Sequence, residues 1–189
     1  FKTDINTIPS PEPYLRSDSV KVAQWGTKLG PKTKPRIGLV WSGNPAFKSD
    51  HNRSLKLEEL MPYLPEGFEY VCLQKEIKAE DQGCFDALKG QISFYGAELE
   101  DFADTAALAS CMDLVVSTCT SVPHMTAALG IPTWVLLSYV PDWRWMLERE
   151  DSPWYDSVRL FRQTKHGDWA DVLTGVSASL RQRFDADEK

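Results

Sequence analysis

Short apolar runs, rich in β-branched residues, recur along the chain between polar stretches and amphipathic segments. The runs at 36–41 (RIGLVW), 70–74, 92–95, 114–116, 133–137 and 158–161 are short enough for buried strands. Between them the spacing predicts helices. Asp18 caps one that runs to about Leu29, with Val22, Trp25 and Leu29 on one face and Gly30 as its stop. Ser54 is placed to cap a second, carrying Leu57, Leu60, Met61 and Leu64. A weak pattern marks a short helix from Cys84 to Leu88. Asp101 or Asp104 caps a helix whose inner face is Phe102, Ala106, Leu108 and Ala109. Another runs from Val122 to Leu129, with Pro123 in its first turn and Gly130 at its end. Asp168 caps a closing helix with Trp169, Val172, Leu173, Val176 and Leu180 inside. Strands alternating with helices predict an α/β fold: a doubly wound, parallel, six-stranded Rossmann-like sheet in the order 3-2-1-4-5-6.

The organisation follows from the same pattern. Residues 1–34 read as a strap and helix, opening with Pro9, Pro11 and Pro13 and with Tyr14 and Leu15 as anchors. Residues 35–184 form the Rossmann-like domain and 185–189 a tail. Because a domain seldom begins with such a connector, further structure is expected before it.

A chain of 189 residues with seven tryptophans and 42% hydrophobic residues can bury one good core. No apolar run approaches the roughly 18 residues of a membrane span. The leading residues lack a signal-peptide pattern, and the four cysteines have no metal or disulfide spacing, so the expectation is a cytoplasmic protein with reduced thiols. The net charge of −6 is uneven. Residues 1–56 hold ten Lys/Arg against four Asp/Glu; the remainder holds eleven against twenty-three. Overall acidity argues against nucleic-acid binding, whereas a basic leading segment suits phosphate contacts or is a solvated face.

Candidate chemistry gathers at the ends of the predicted strands. The central stretch DLVVSTCTSVPHMTAALGIP (113–132) is a strand, a hydroxylic turn and a helix start, where free N–H groups and the helix dipole favour an anion. The long polar loop at 42–53 offers Lys48 and Arg53, either as phosphate partners or as solvated surface cations. Gln74, Lys75 and Glu76 form a third polar cluster, and Asp104 reads as a helix cap or a ligand contact. Trp143, Trp145, Trp154 and Tyr155 crowd one loop, as core or as a contact surface. Cys119 and His124 invite a nucleophile–base reading, but Ser117 and Ser121 stand where a nucleophile elbow has glycines, and His124 is badly placed to reach back. The dinucleotide and Walker fingerprints are absent, as is metal-ligand spacing.

The run Asp113…Ser117-x-x-Thr120-x-x-x-His124-x-x-x-Ala128-x-Gly130-x-Pro132 resembles the donor-site signature of glycosyltransferase family 9, the ADP-heptose heptosyltransferase group. It is more similar still to the related domain that follows tetratricopeptide repeats in many bacterial proteins. Supporting segments are IGLVWSGNPAFKSDHNRS (37–54), LQK (73–75), DFADTAAL (101–108) and PDWRWMLEREDSPWYDSVRLFRQ (141–163). The resemblance implies the second half of a GT-B glycosyltransferase, in which two Rossmann-like domains face across a cleft without a required metal or cofactor. Its substrate would be a nucleotide sugar, its partner the missing N-terminal half. By position, Thr120 and Ser121 would meet the donor diphosphate, with Arg53 and Lys48 neutralising it. His124 would lie against phosphate or sugar, and Gln74 and Glu76 near the nucleoside. Heptosyltransferases commonly place an aspartate, which contacts the heptose, where this chain has Cys119. The alternative is a non-catalytic nucleotide-binding or interaction module derived from such a domain.

Overall fold

In the computed structural model, residues 2–5, 7, 8, 12–88 and 90–185 are described. Pro9 and Pro11 of the strap and tail residues 186–189 lie outside them. Six strands form one sheet: β1 Arg36–Val40, β2 Glu69–Cys72, β3 Ile92–Phe94, β4 Leu114–Thr118, β5 Thr133–Leu137 and β6 Val158–Arg162. Every pairing is parallel and the spatial order is β3-β2-β1-β4-β5-β6, the expected doubly wound topology.

Both faces of the sheet are covered, which explains the near-continuous apolar runs. In β1, Ile37 and Leu39 point to one layer with Trp41, while Val40 points to the other. The first layer contains α3 Leu57–Leu60, α4 Ala79–Ala87 and α7 Ala170–Asp185. The second contains α1 Ser19–Leu29, α5 Phe102–Ala109 and α6 Ser121–Ala128. Trp25 of α1 is buried among Val40, Leu73 and Ala107, so this helix is built into the layer. Asp18 accepts from the amides of Val20 and Lys21, and Gly30 ends α1 at φ +74°.

Three local expectations change. Ser54 does not cap the start of the next helix, whose N-cap is Lys56; it stands at the C-terminal end of a short helix α2, Asp50–Arg53, and its hydroxyl donates to Asp50. The helix expected at 84–88 begins earlier, at Ala79, with Gly83 and few apolar residues obscuring its period. Phe102 is 64% exposed rather than on the inner face of α5.

Candidate functional site

The loops after β1, β2 and β4 meet at the carboxyl edge of the sheet, around the point where strand order reverses. Gln74, just beyond β2, holds this junction together. Its Oε1 accepts from the amides of Trp41 (2.7 Å) and Ser42 (3.0 Å), and its Nε2 donates to Ser42 Oγ and the Glu76 carbonyl, each at 3.2 Å. The side chain is buried and its polar groups are committed to the fold. Gln74 thus positions the β1 loop and has no amide hydrogen bond left to offer a nucleoside.

A second anchor was not legible in the sequence. Asp50 is 4% exposed and accepts from Lys78 Nζ (2.7 Å), Arg53 Nε (2.9 Å) and Ser54 Oγ (2.8 Å). Burial alone would raise its pKa; the bonds from Lys78, Ser54 and Arg53 outweigh that and hold it below the ordinary carboxylate value. Arg53 also donates from Nη1 to the carbonyl of Cys119 at 2.8 Å, tying the β1 loop to the turn after β4. Nearby, the equally buried Asp81 accepts from the indole of Trp41 and the amide of Leu57.

Two cavities flank this junction. The first, of about 1060 Å³, is walled by 42–45, 73–80, 99–102, Thr105 and 120–122. Thr120 and Ser121 stand at the start of α6, where the Thr120 hydroxyl caps the helix by accepting from the Val122 amide. Glu76 and the exposed ring of Phe102 lie in the same wall. The second cavity, of about 900 Å³, is lined by 47–56, Cys119, 140–142, Gln163, His166 and Trp169, among others. Pro45, Lys78 and Glu80 border both. Arg53 and Lys48 line the second cavity and Ser121 the first, while Arg53 reaches the carbonyl of Cys119, two residues before Ser121.

The other candidates separate further. Asp104 is buried and lines neither cavity. It takes an ion pair from Lys21 and accepts from the amides of Glu100 and Asp101, joining α1 to α5. Its neighbour Thr105 is the one that reaches the first cavity. His124 lines neither cavity; its ring stacks on Trp145 at 4.7 Å and its Nδ1 lies 3.2 Å from the Tyr155 hydroxyl. Burial, then the Arg144 charge, pushes its pKa below the usual imidazole value. Cys119 Sγ accepts from the Trp145 indole at 3.1 Å, and burial raises its thiol pKa, which opposes nucleophile chemistry. Cys119 and His124 are thus held separately by one buried tryptophan.

The aromatic loop divides. Trp145 is fully buried, whereas Trp143 is 67% exposed with Arg144 against its ring. Tyr155 stacks on Tyr14 of the strap at 6.5 Å, and the strap is fastened by the Tyr14 and Leu15 amides donating to the Ala128 carbonyl. Among the described residues no cluster of three or more His, Cys, Asp or Glu is arranged to hold a metal, and no helix is long and apolar enough to cross a membrane.

No protein-family profile matches the chain. It is 28% identical over 185 residues to Protein FlbA of Caulobacter vibrioides, a match covering 92% of this chain and 30% of that protein. The structure of E. coli ADP-heptose LPS heptosyltransferase II superposes with a TM-score of 0.60 at 18% identity, covering 93% of this chain and 54% of that one. The chain therefore shares its fold with a heptosyltransferase and spans about a third to a half of the length of these relatives.

Proposed function

We propose that this chain is the donor-binding half of a metal-independent glycosyltransferase of the GT-B kind. The observation that carries the reading is the 1060 Å³ cavity whose wall brings the start of α6 beside the loops after β1 and β2. A nucleoside fits between Glu76 and Phe102, with its diphosphate against the Thr120–Ser121 turn, where open amides and the α6 dipole favour negative charge. The leaving diphosphate is then stabilised as charge develops on it, and no metal or other cofactor is required. An N-terminal Rossmann-like half, in a cytoplasmic protein that also carries tetratricopeptide repeats, would bring the acceptor. The heptosyltransferase likeness supports the fold underlying this reading.

A second reading has specific support. His124 is engaged by Trp145 and Tyr155, Gln74 is fully committed, and Cys119 stands in the place of a sugar-contacting aspartate. These features suit a module that binds a nucleotide without transferring a sugar. Thermal denaturation with ADP, UDP, GDP and CDP tests the shared claim, since a ligand at 100 times its dissociation constant stabilises by about 2.7 kcal/mol. One nucleotide should raise the midpoint, and Ser121→Glu, which places a carboxylate at the helix start, should abolish the rise. No rise with any nucleotide would overturn both readings. Donor turnover by a longer protein containing this chain separates them.

A further inference from the structure

The strap crosses the far ends of two helices whose starts wall the first cavity. The amides of Tyr14 (3.0 Å) and Leu15 (3.1 Å) both donate to the carbonyl of Ala128, the last residue of α6. Pro13 packs against Gly130, where a methyl group would come within 2.5 Å of the proline ring. At the end of α5, Ser17 Oγ donates to the Ala106 carbonyl (3.1 Å) and lies 2.7 Å from Ser110 Oγ. The opposite ends of the same helices put Phe102 and Thr105 of α5, and Ser121 and Val122 of α6, in the cavity wall.

Side chains continue the connection along α6. Tyr14 stacks on Tyr155 with ring centres 6.5 Å apart and planes 25° apart, and the Tyr155 hydroxyl lies 3.2 Å from Nδ1 of His124 in mid-helix. His124 stacks on Trp145 at 4.7 Å, and the Trp145 indole donates to Cys119 Sγ at 3.1 Å. The Cys119 carbonyl in turn accepts from Arg53. Cys119 is thus gripped by its sulfur from the aromatic loop and by its carbonyl from the β1 loop, and the next two residues are the Thr120–Ser121 turn. Trp145 itself is fixed. Its neighbour Met146 alone among the described non-glycine residues has positive φ, at +52°, and Arg162 donates to the carbonyls of Trp145, Met146 and Arg149. Such a backbone persists where its surroundings over-determine it. Trp145 is fully buried while Tyr14 is 62% exposed, so this chain of contacts begins in solvent and ends under the cavity wall.

We propose that the strap is a latch on the first cavity: seated, it holds the start of α6 and the β1 loop in one geometry, and lifted, it lets them shift. Tyr14 is a positioning residue that acts through Tyr155 and His124. The stack contributes a factor of about two to ten to the seated state, an amount small enough for reversible opening. Whatever binds the lifted strap better than the seated one loosens the cavity, and a ligand in the cavity holds the strap down by the same factor. Control of a nucleotide rests on the function proposed above; the coupling of strap to cavity wall does not.

The test begins without nucleotide. Tyr14→Ala removes the exposed end of the chain of contacts and lies in the lining of neither cavity. Amide hydrogen exchange at residues 125–129 of α6 should accelerate about two- to tenfold, the range of one aromatic pair. The amide signals of Thr120 and Ser121 should shift with it. Tyr14→Phe, which keeps the ring, should restore most of both effects. Val20→Ala trims an equally exposed apolar side chain on α1 and should change neither. Changes confined to the strap, Tyr155 and Ala128, with Ser121 unmoved, would overturn the latch and leave Tyr14 a local contact. With the nucleotide that raises the thermal midpoint, Tyr14→Ala should weaken binding about two- to tenfold, and equal affinity would also overturn the latch. Failure of every nucleotide to bind the parent would overturn the nucleotide reading alone, because the exchange and spectra are read in its absence.

Discussion

Arg53 Nη1 lies 2.8 Å from the carbonyl oxygen of Cys119, so a cation expected to wait for a ligand instead joins two loops that are far apart in sequence. The same guanidinium donates from Nε to Asp50, whose other partners are Lys78 and Ser54. The Thr120–Ser121 turn owes its place beside the β1 loop to this chain of bonds.

Arg53→Ala should therefore lower stability as well as nucleotide affinity. It removes two hydrogen bonds involving a charged, part-buried group and should cost about 1.5–3 kcal/mol. Lys78 and Ser54 remain on Asp50, which keeps the loss toward the lower end. Urea denaturation checks this: the midpoint should fall with an unchanged slope. Arg53→Lys, which keeps charge but cannot bridge both acceptors with a planar fork, should recover less than half. An unaltered midpoint would return Arg53 to the role of a free ligand-binding cation.

Gly43 tests the same tie from the other side. A methyl group there would overlap Asp50 Oδ1 and come within 2.7 Å of Arg53 Nη2. The glycine is needed for close approach, not for an unusual backbone angle. Gly43→Ala should cost about 1–3 kcal/mol through overpacking. Combined with Arg53→Ala it should cost less than the sum of the two, because the larger variant has already vacated part of the space. Strict additivity in a double-mutant cycle would show that the alanine is accommodated elsewhere.

His124 gives stability a pH dependence with a definite sign. Burial and the Arg144 charge lower its pKa in the folded protein, while Asp142 opposes them. Above the ordinary imidazole value of about 6.5 both folded and unfolded forms are neutral and the group contributes nothing. As pH falls below that value, the unfolded chain takes up the proton first, and stability declines until the lower folded pKa is passed. Asp50 acts in a separate window: its folded pKa is depressed, so its contribution is present above about pH 3.9 and is lost below it. Comparing urea midpoints for the parent and His124→Gln at about pH 7.5 and about pH 5 isolates the histidine. The parent should lose more stability than the variant over that interval, and equal losses would remove His124 from the account.

These particular residues show what a sequence discloses. The six strands were legible because burial on both faces turns each into a compact apolar run, and alternation with helices leaves few topologies. Asp18 was legible as a cap because its partners are two and three residues away. Roles at the site were not, because their partners are distant. Arg53 meets a carbonyl 66 residues on, Gln74 an amide 33 residues back and His124 a hydroxyl 31 residues on. Lys78 sat in a stretch with little periodicity, and Asp50 in a loop where an acid among basic residues reads as surface. Phe102 occupied a helical position that periodicity assigns inward, yet the cavity beside it leaves the ring exposed.

If the proposed donor function holds, residues 1–189 alone should bind the nucleotide sugar without transferring it. Asp101 and Asp104 are committed to capping α5, and Asp104 also to Lys21. Glu76, Glu80 and Glu100 stand on the wall of the cavity proposed for the nucleoside, so none of them is matched to an acceptor. A base must come within about 2.6–3.2 Å of the acceptor hydroxyl in a productive pose. Much of the advantage of an enzyme lies in holding both reactants in that geometry, which one wall of a cleft does not do. In the resembled family the acceptor pocket belongs to the other Rossmann-like half. The measurement compares donor turnover by residues 1–189 with turnover by a longer protein that includes them, at equal occupancy of the nucleotide site. Transfer by the short chain should be slower by at least about a hundredfold, on the scale set by lost positioning. Similar rates would place both acceptor and base within this chain and direct attention to Glu76 and Glu80.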